Sequence, residues 1–126
     1  MDKDEMRRRT KAFALSVMSF CRHLPRSAEA AVIARQLLRC GTSVGANYRA
    51  ACLARSRADF ISKMGIVLEE VDESRYWMEL LVEGKLSEPQ TVREIMREAA
   101  ELTSIVAASI ITARERQKAR ATTAKP

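Results

Sequence analysis

The sequence predicts an all-α fold, an up-and-down antiparallel four-helix bundle, and three observations carry that expectation. Glycine (4) and proline (3) are scarce in a chain of 126 residues, too few for the frequent turns of a β-sandwich. Hydrophobic residues, 47% of the chain, recur at steps of three and four in four successive stretches. Short proline, glycine or serine signals separate those stretches, and short connections make neighbours in sequence neighbours in space. The length suits one core and not two.

The first stretch, from about Asp4 to Arg22, places Phe13, Val17, Phe20, Cys21 and Leu24 on one side of a helix. It must stop before Pro25, which lacks a backbone N–H and pushes the preceding residue out of the α region. The lone histidine, His23, falls in that last turn, where a cationic or hydrogen-bonding residue suits the helix C-terminus. Ser27 caps a second helix, whose face runs through Ile33, Leu37, Cys40, Val44, Tyr48 and Ala51. Gly41 and Gly45 sit one turn apart inside it. Each costs about 1 kcal/mol against alanine in a helix interior, so a closely approaching neighbour helix is expected there. A phosphate loop would need a preceding strand and a following Lys-Ser or Lys-Thr, and the chain has neither. Ser43 and Asn47 read as a packed polar pair.

Ser56, with Asp59 three residues on, separates the second helix from a third that follows Phe60, Met64, Val67, Leu68, Val71, Met78 and Leu81. Gly84 is the expected C-terminal cap of that helix. Ser87, Glu88, Pro89 and Gln90 read as a further capping box, with proline in the first turn. The fourth helix uses Val92, Ile95, Met96, Ala99, Leu102, Val106 and Ile110. The pattern fades past Arg114. Residues 1–116 are therefore assigned to the bundle and 117–126 to a basic, flexible C-terminal tail.

The formal charge is +6 and its distribution is uneven. Residues 27–58 hold five arginines against Glu29 alone, whereas residues 59–88 hold eight acids against Lys63, Arg75 and Lys85. Both ends are basic. Arg7, Arg8, Arg9, Arg35, Arg39, Arg49, Arg55 and Arg57 are the candidate nucleic-acid contacts, because guanidinium groups bind phosphates independently of base sequence. The competing reading of the same charges is solvated faces with ordinary intrachain ion pairs, each worth under about 1 kcal/mol.

No catalytic constellation is present, and the chain is read as a non-enzyme without a cofactor. Glu69, Glu70, Asp72 and Glu73 lack the Glu-x-x-His spacing of a di-iron bundle, so no metal site is expected. Cys21, Cys40 and Cys52 have neither disulfide-framework nor zinc spacing, which fits a reducing compartment. No apolar run reaches signal-peptide or membrane-spanning length, and a soluble intracellular protein without a membrane partner is expected.

The runs QLLRCGTSVGANYRAA (36–51) and ARSRADFISKMGIVLEEVDESRYWMELL (54–81) resemble the four-helix-bundle family of 23S ribosomal RNA intervening-sequence proteins. The Gly-Thr-Ser-x-Gly-Ala-Asn-Tyr-Arg segment (41–49) and the Tyr-Trp-x-Glu-Leu-Leu segment (76–81) carry the likeness. The family's usual pattern has Glu where Ala50 stands and often Lys where Glu69 stands. The resemblance implies a cytoplasmic bacterial protein that assembles into a ring-like homopentamer. It also brings in a related branch, the accessory variability proteins of diversity-generating retroelements, basic pentamers that bind nucleic acid and a reverse transcriptase. The expected function is thus a non-enzymatic oligomer binding RNA or an RNA–DNA hybrid, RNA ahead of DNA, with a reverse transcriptase as a partner. The alternative is a protein-interaction scaffold whose charged helices serve assembly and docking.

Overall fold

The computed structural model describes residues 1–124, and these form four helices: α1 (Lys3–Arg22), α2 (Ala28–Cys52), α3 (Arg57–Glu83) and α4 (Pro89–Ala124). Three starts are capped by side chains that satisfy an otherwise orphaned backbone N–H. Asp2 accepts from Glu5 N at 2.8 Å, Ser27 from Ala30 N at 3.2 Å and Ser56 from Asp59 N at 3.0 Å. The expected caps at Ser27 and Ser56 are present. The expected box at Ser87 is not: α4 begins one residue later, and the Ser87 hydroxyl points to the Glu88 carbonyl. Pro89 occupies the first helical position because its missing N–H costs nothing there.

The end of α3 also differs in detail from the sequence reading. Gly84 is the last capping residue but has an ordinary φ of −80°. The left-handed position falls on Lys85, with φ 64°. Leu86 N donates to Leu81 O (2.8 Å) and Lys85 N to Val82 O (3.1 Å), the two bonds of a Schellman motif. Leu86 then folds back against the core.

The helices pack in the order α1, α2, α3, α4, and α4 also returns to α1, the lightest of the four contacts. Phe13, Leu37, Met64, Met78, Leu81 and Leu102 lie fully buried between them. Val17 rides directly over Gly41, where an added Cβ would come within 3.0 Å of its side chain. Thr10 lies over Gly45, and its buried hydroxyl is satisfied by Met6 O at 2.8 Å. The glycine seam thus lets α1 approach α2. The same contact sets the register that places the N-terminus of α1 beside the C-terminus of α2.

The backbone of α4 remains helical through Ala124, about 54 Å at 1.5 Å per residue, where the sequence reading ends the bundle at residue 116. Its last buried residue is Ala113, and residues 114–123 are exposed throughout. Packing therefore ends where the apolar pattern ends. The helix runs on because Arg, Glu, Gln, Lys and Ala are strong helix formers. Lys125 and Pro126, the last two residues of the expected tail, lie outside the described residues.

Candidate nucleic-acid interface

Helical spacing lines up Arg35, Arg39, Thr42, Ala46 and Arg49 on one side of α2, and all five are exposed. Their opposite face, Leu37, Cys40, Val44 and Ala51, is buried. The basic face of α2 is therefore a consequence of its amphipathicity. Arg55, in the α2–α3 connection, is exposed, and Arg57, the first residue of α3, is half-buried. Ser43 and Asn47 do not form a polar pair between side chains. The Ser43 hydroxyl donates to Arg39 O (2.7 Å) and the Asn47 amide to Ser43 O (2.9 Å), both within the helix.

The structure divides the eight candidate arginines. Arg9 is committed to the fold: its Nε and Nη2 donate to the two oxygens of Glu98 at 3.0 and 2.5 Å, and Glu101 lies 3.2 Å away. This two-pronged bond ties α1 to α4, and Glu98 holds the Arg9 pKa above its usual value. Arg39 bridges α2 to α3 through Glu70 (3.4 Å) and Glu73. Arg7 pairs locally with Asp4 at 3.2 Å. Arg8, Arg35, Arg49, Arg55 and Arg57 take part in no ion pair among the described residues.

Antiparallel packing then sorts charge along the bundle axis. One end gathers the start of α1, the end of α2, the start of α3 and the end of α4. Residues 1–11, 46–67 and 105–124, which build it, hold thirteen bases and five acids; residues 12–45 and 68–104 hold eight bases and eleven acids. At the basic end lies an open groove of about 1060 Å³. Lys3, Arg57, Arg116 and Arg120 line it, and no acid does. Its apolar lining includes half-buried Phe60 and Ile105 and buried Tyr48. Burial raises the Tyr48 pKa well above the ordinary phenol value, so the ring stays neutral.

Of the groove cations, sequence reasoning singled out Arg57 alone. Arg116 and Arg120 stood in and beside the basic tail, and their spacing of four residues on a helix was the signal that could have joined them. What could not be read was that α4 runs past Arg57 and Lys3.

Cys40 on α2 and Glu70 and Glu73 on α3 bring ligand atoms within 4.8 Å of one another, and the Arg39 guanidinium pairs with both carboxylates. The Cys40 thiol accepts from Ser74 at 3.2 Å, and burial raises its pKa. Trp77 donates to Glu73 at 3.3 Å and meets half-exposed Tyr76 edge-on, with ring centroids 5.0 Å apart. His23 hydrogen-bonds Ser19 O at 2.8 Å, as a helix C-terminal residue should.

Comparison with known proteins places this architecture. The family model described as 23S rRNA-intervening sequence protein matches residues 2–108. The chain belongs to this family. A crystal structure of a protein of unknown function from the S23 ribosomal protein family of Bacteroides thetaiotaomicron VPI-5482 superposes with a TM-score of 0.78 at 33% identity. The match covers 83% of this chain and 97% of that one. No functionally curated protein matches at a significant level. The family match takes in α1, α2, α3 and more than half of α4. Arg116 and Arg120 lie beyond it. No helix among the described residues is long and apolar enough to cross a membrane.

Proposed function

We propose that this member of the 23S rRNA-intervening sequence protein family is a non-enzymatic, homo-oligomeric nucleic-acid-binding protein. It holds RNA, or an RNA–DNA hybrid, through phosphate contacts and serves as an accessory to a partner enzyme such as a reverse transcriptase. The carrying observation is the polarity of the bundle: thirteen of the 22 basic residues gather at one end, with only five acids. Counterion release from a phosphate backbone drives binding to such a surface with little dependence on base sequence. Several subunits presenting the same end would add weak contacts through multivalency.

The test is a salt series on the full chain with a structured RNA and a matched duplex DNA, with mass measured by light scattering on the same sample. The expected result is binding that falls steeply with salt, RNA ahead of DNA, by a particle of about 70 kDa, five copies of a 14.1 kDa chain. Absence of binding at low salt overturns the reading. Arg49→Glu with Arg55→Glu, both at the basic end, exposed and in no ion pair among the described residues, should then weaken binding while leaving the mass unchanged.

A second reading, a protein-interaction scaffold, is favoured by apolar side chains left outside the core. Leu15 on α1, Val32 on α2 and Ile111 on α4 are each more than half exposed. On this reading the charged helices serve assembly, and the double substitution dissociates the particle instead of releasing RNA.

A further inference from the structure

We propose that the groove at the basic end takes a single-stranded nucleic-acid segment, with phosphates on Lys3, Arg57, Arg116 and Arg120 and a base against the apolar wall at Phe60 and Ile105. This rests on the nucleic-acid-binding reading above and names the form of the polymer and its seat.

Three features of the groove select that occupant. Its charged lining is cationic throughout, and none of the four cations is spent on an intrachain ion pair among the described residues. An anion is therefore the complementary partner. Its lining is not uniformly polar: Phe60 and Ile105 keep part of their surface open, and Ser109 and Thr112 add hydroxyl donors. Cations tracking a backbone beside an aromatic surface form the arrangement that binds single strands without sequence preference, because every base has a face to stack. A duplex keeps its bases inside and can use only the charges. Finally, the groove is an open trough of about 1060 Å³, which leaves room for a polymer to enter and leave.

The two α4 cations, one helical turn apart, lie in the exposed part of the helix past the last buried residue, Ala113. They can be changed without touching the core. They also lie outside the family match, so the groove as built here uses residues that the match does not include.

The experiment compares an oligouridine with a length-matched RNA duplex on the full chain, for wild type, R116A/R120A and F60L, with mass checked by light scattering. Wild type should prefer the single strand. R116A/R120A should bind it about tenfold or more weaker, with the slope of log affinity against log salt reduced by roughly 1.4, two phosphates at about 0.7 each. F60L should erase much of the preference for the single strand while leaving duplex binding in place. If wild type binds RNA but R116A/R120A binds the single strand with unchanged affinity and slope, the groove assignment is wrong and the broader function stands. If wild type binds neither RNA at low salt, both fall. If R116A/R120A loses binding only together with its oligomeric mass, the groove is an assembly surface and the proposal is overturned.

Discussion

Gly41 and Gly65 are both helical glycines, and only their surroundings separate them. At Gly41 an added Cβ meets three atoms of Val17 between 3.0 and 3.3 Å, and Val17 is fully buried and stiff at χ1. At Gly65 nothing lies within 4 Å. Both substitutions by alanine recover about 1 kcal/mol of helix propensity. At position 41 overpacking costs about 1–3 kcal/mol and should outweigh that gain. Urea unfolding should therefore show Gly41→Ala destabilised by about 1 kcal/mol and Gly65→Ala stabilised by about as much. Equal shifts for both would remove the α1–α2 contact from the account.

The cysteines argue at the same scale. Burial raises the Cys21 thiol from the ordinary 9 to about 11, and it raises Cys40 and Tyr48 as well. Each is an acid that ionises less readily folded than unfolded. Above about pH 9 the unfolded chain releases these protons first, so stability falls as pH rises toward 11. Thermal midpoints at pH 7.5, 9 and 10.5 should decline over the last interval, and Cys21→Ala should soften that decline. A flat alkaline limb would contradict the burial of these groups.

Between elements, the charges that looked like binding residues do two different jobs. Arg39 and Arg35 are one turn apart on α2, yet Arg39 faces Glu70 and Glu73 across to α3 and Arg35 pairs with no acid among the described residues. Arg39→Glu would set a third carboxylate beside two others. It should cost about 1–2 kcal/mol, with the loss relieved by salt. Arg35→Glu should stay within about 0.5 kcal/mol. Paired denaturation curves at low and high salt measure the difference. A comparable loss for both would mean that the α2–α3 bridge contributes little. For the same reason a binding test built on Arg39 would confuse lost phosphate contacts with a weakened bundle, whereas Arg49 and Arg55 do not carry that risk.

For the molecule as a whole, stability and charge are set by different segments of α4. Residues up to Ala113 pack against the other helices, and residues 114–123 are exposed. Ending the chain after Ala113 should lower the thermal midpoint by no more than about 3–6 °C, the equivalent of about 1 kcal/mol for a chain of this length. Affinity for RNA should fall well beyond what that change explains, because Arg114, Arg116, Lys118 and Arg120 go with the segment. A collapse in stability would show that the exposed turns hold the bundle together, and unchanged RNA affinity would take them out of the interface.

The sequence by itself determined the fold class, the number of helices, the caps at Ser27 and Ser56, the glycine seam and most of the buried face. These follow from periodicity and from local backbone chemistry, which act over a few residues and are written in the order of the chain. The family resemblance was legible for the same reason, in the segments 41–49 and 76–81. Boundaries were less secure where two signals competed. Ser87 offered a cap, but Pro89 took the first helical position; Gly84 offered a left-handed residue, but the chain turned one residue later at Lys85.

Only the tertiary structure decided which arginines are free. Arg9 and Arg39 read like their neighbours in the sequence, and their partners lie 89 and 34 residues away, at Glu98 and Glu73. Charge counted along the chain set a basic second helix against an acidic third. Antiparallel packing partly cancels that contrast through Arg39 and replaces it with a contrast between the two ends of the bundle. Lys3, Arg57, Arg116 and Arg120 share a groove because four helix termini meet there, and a meeting of termini is a property of register and helix length in three dimensions.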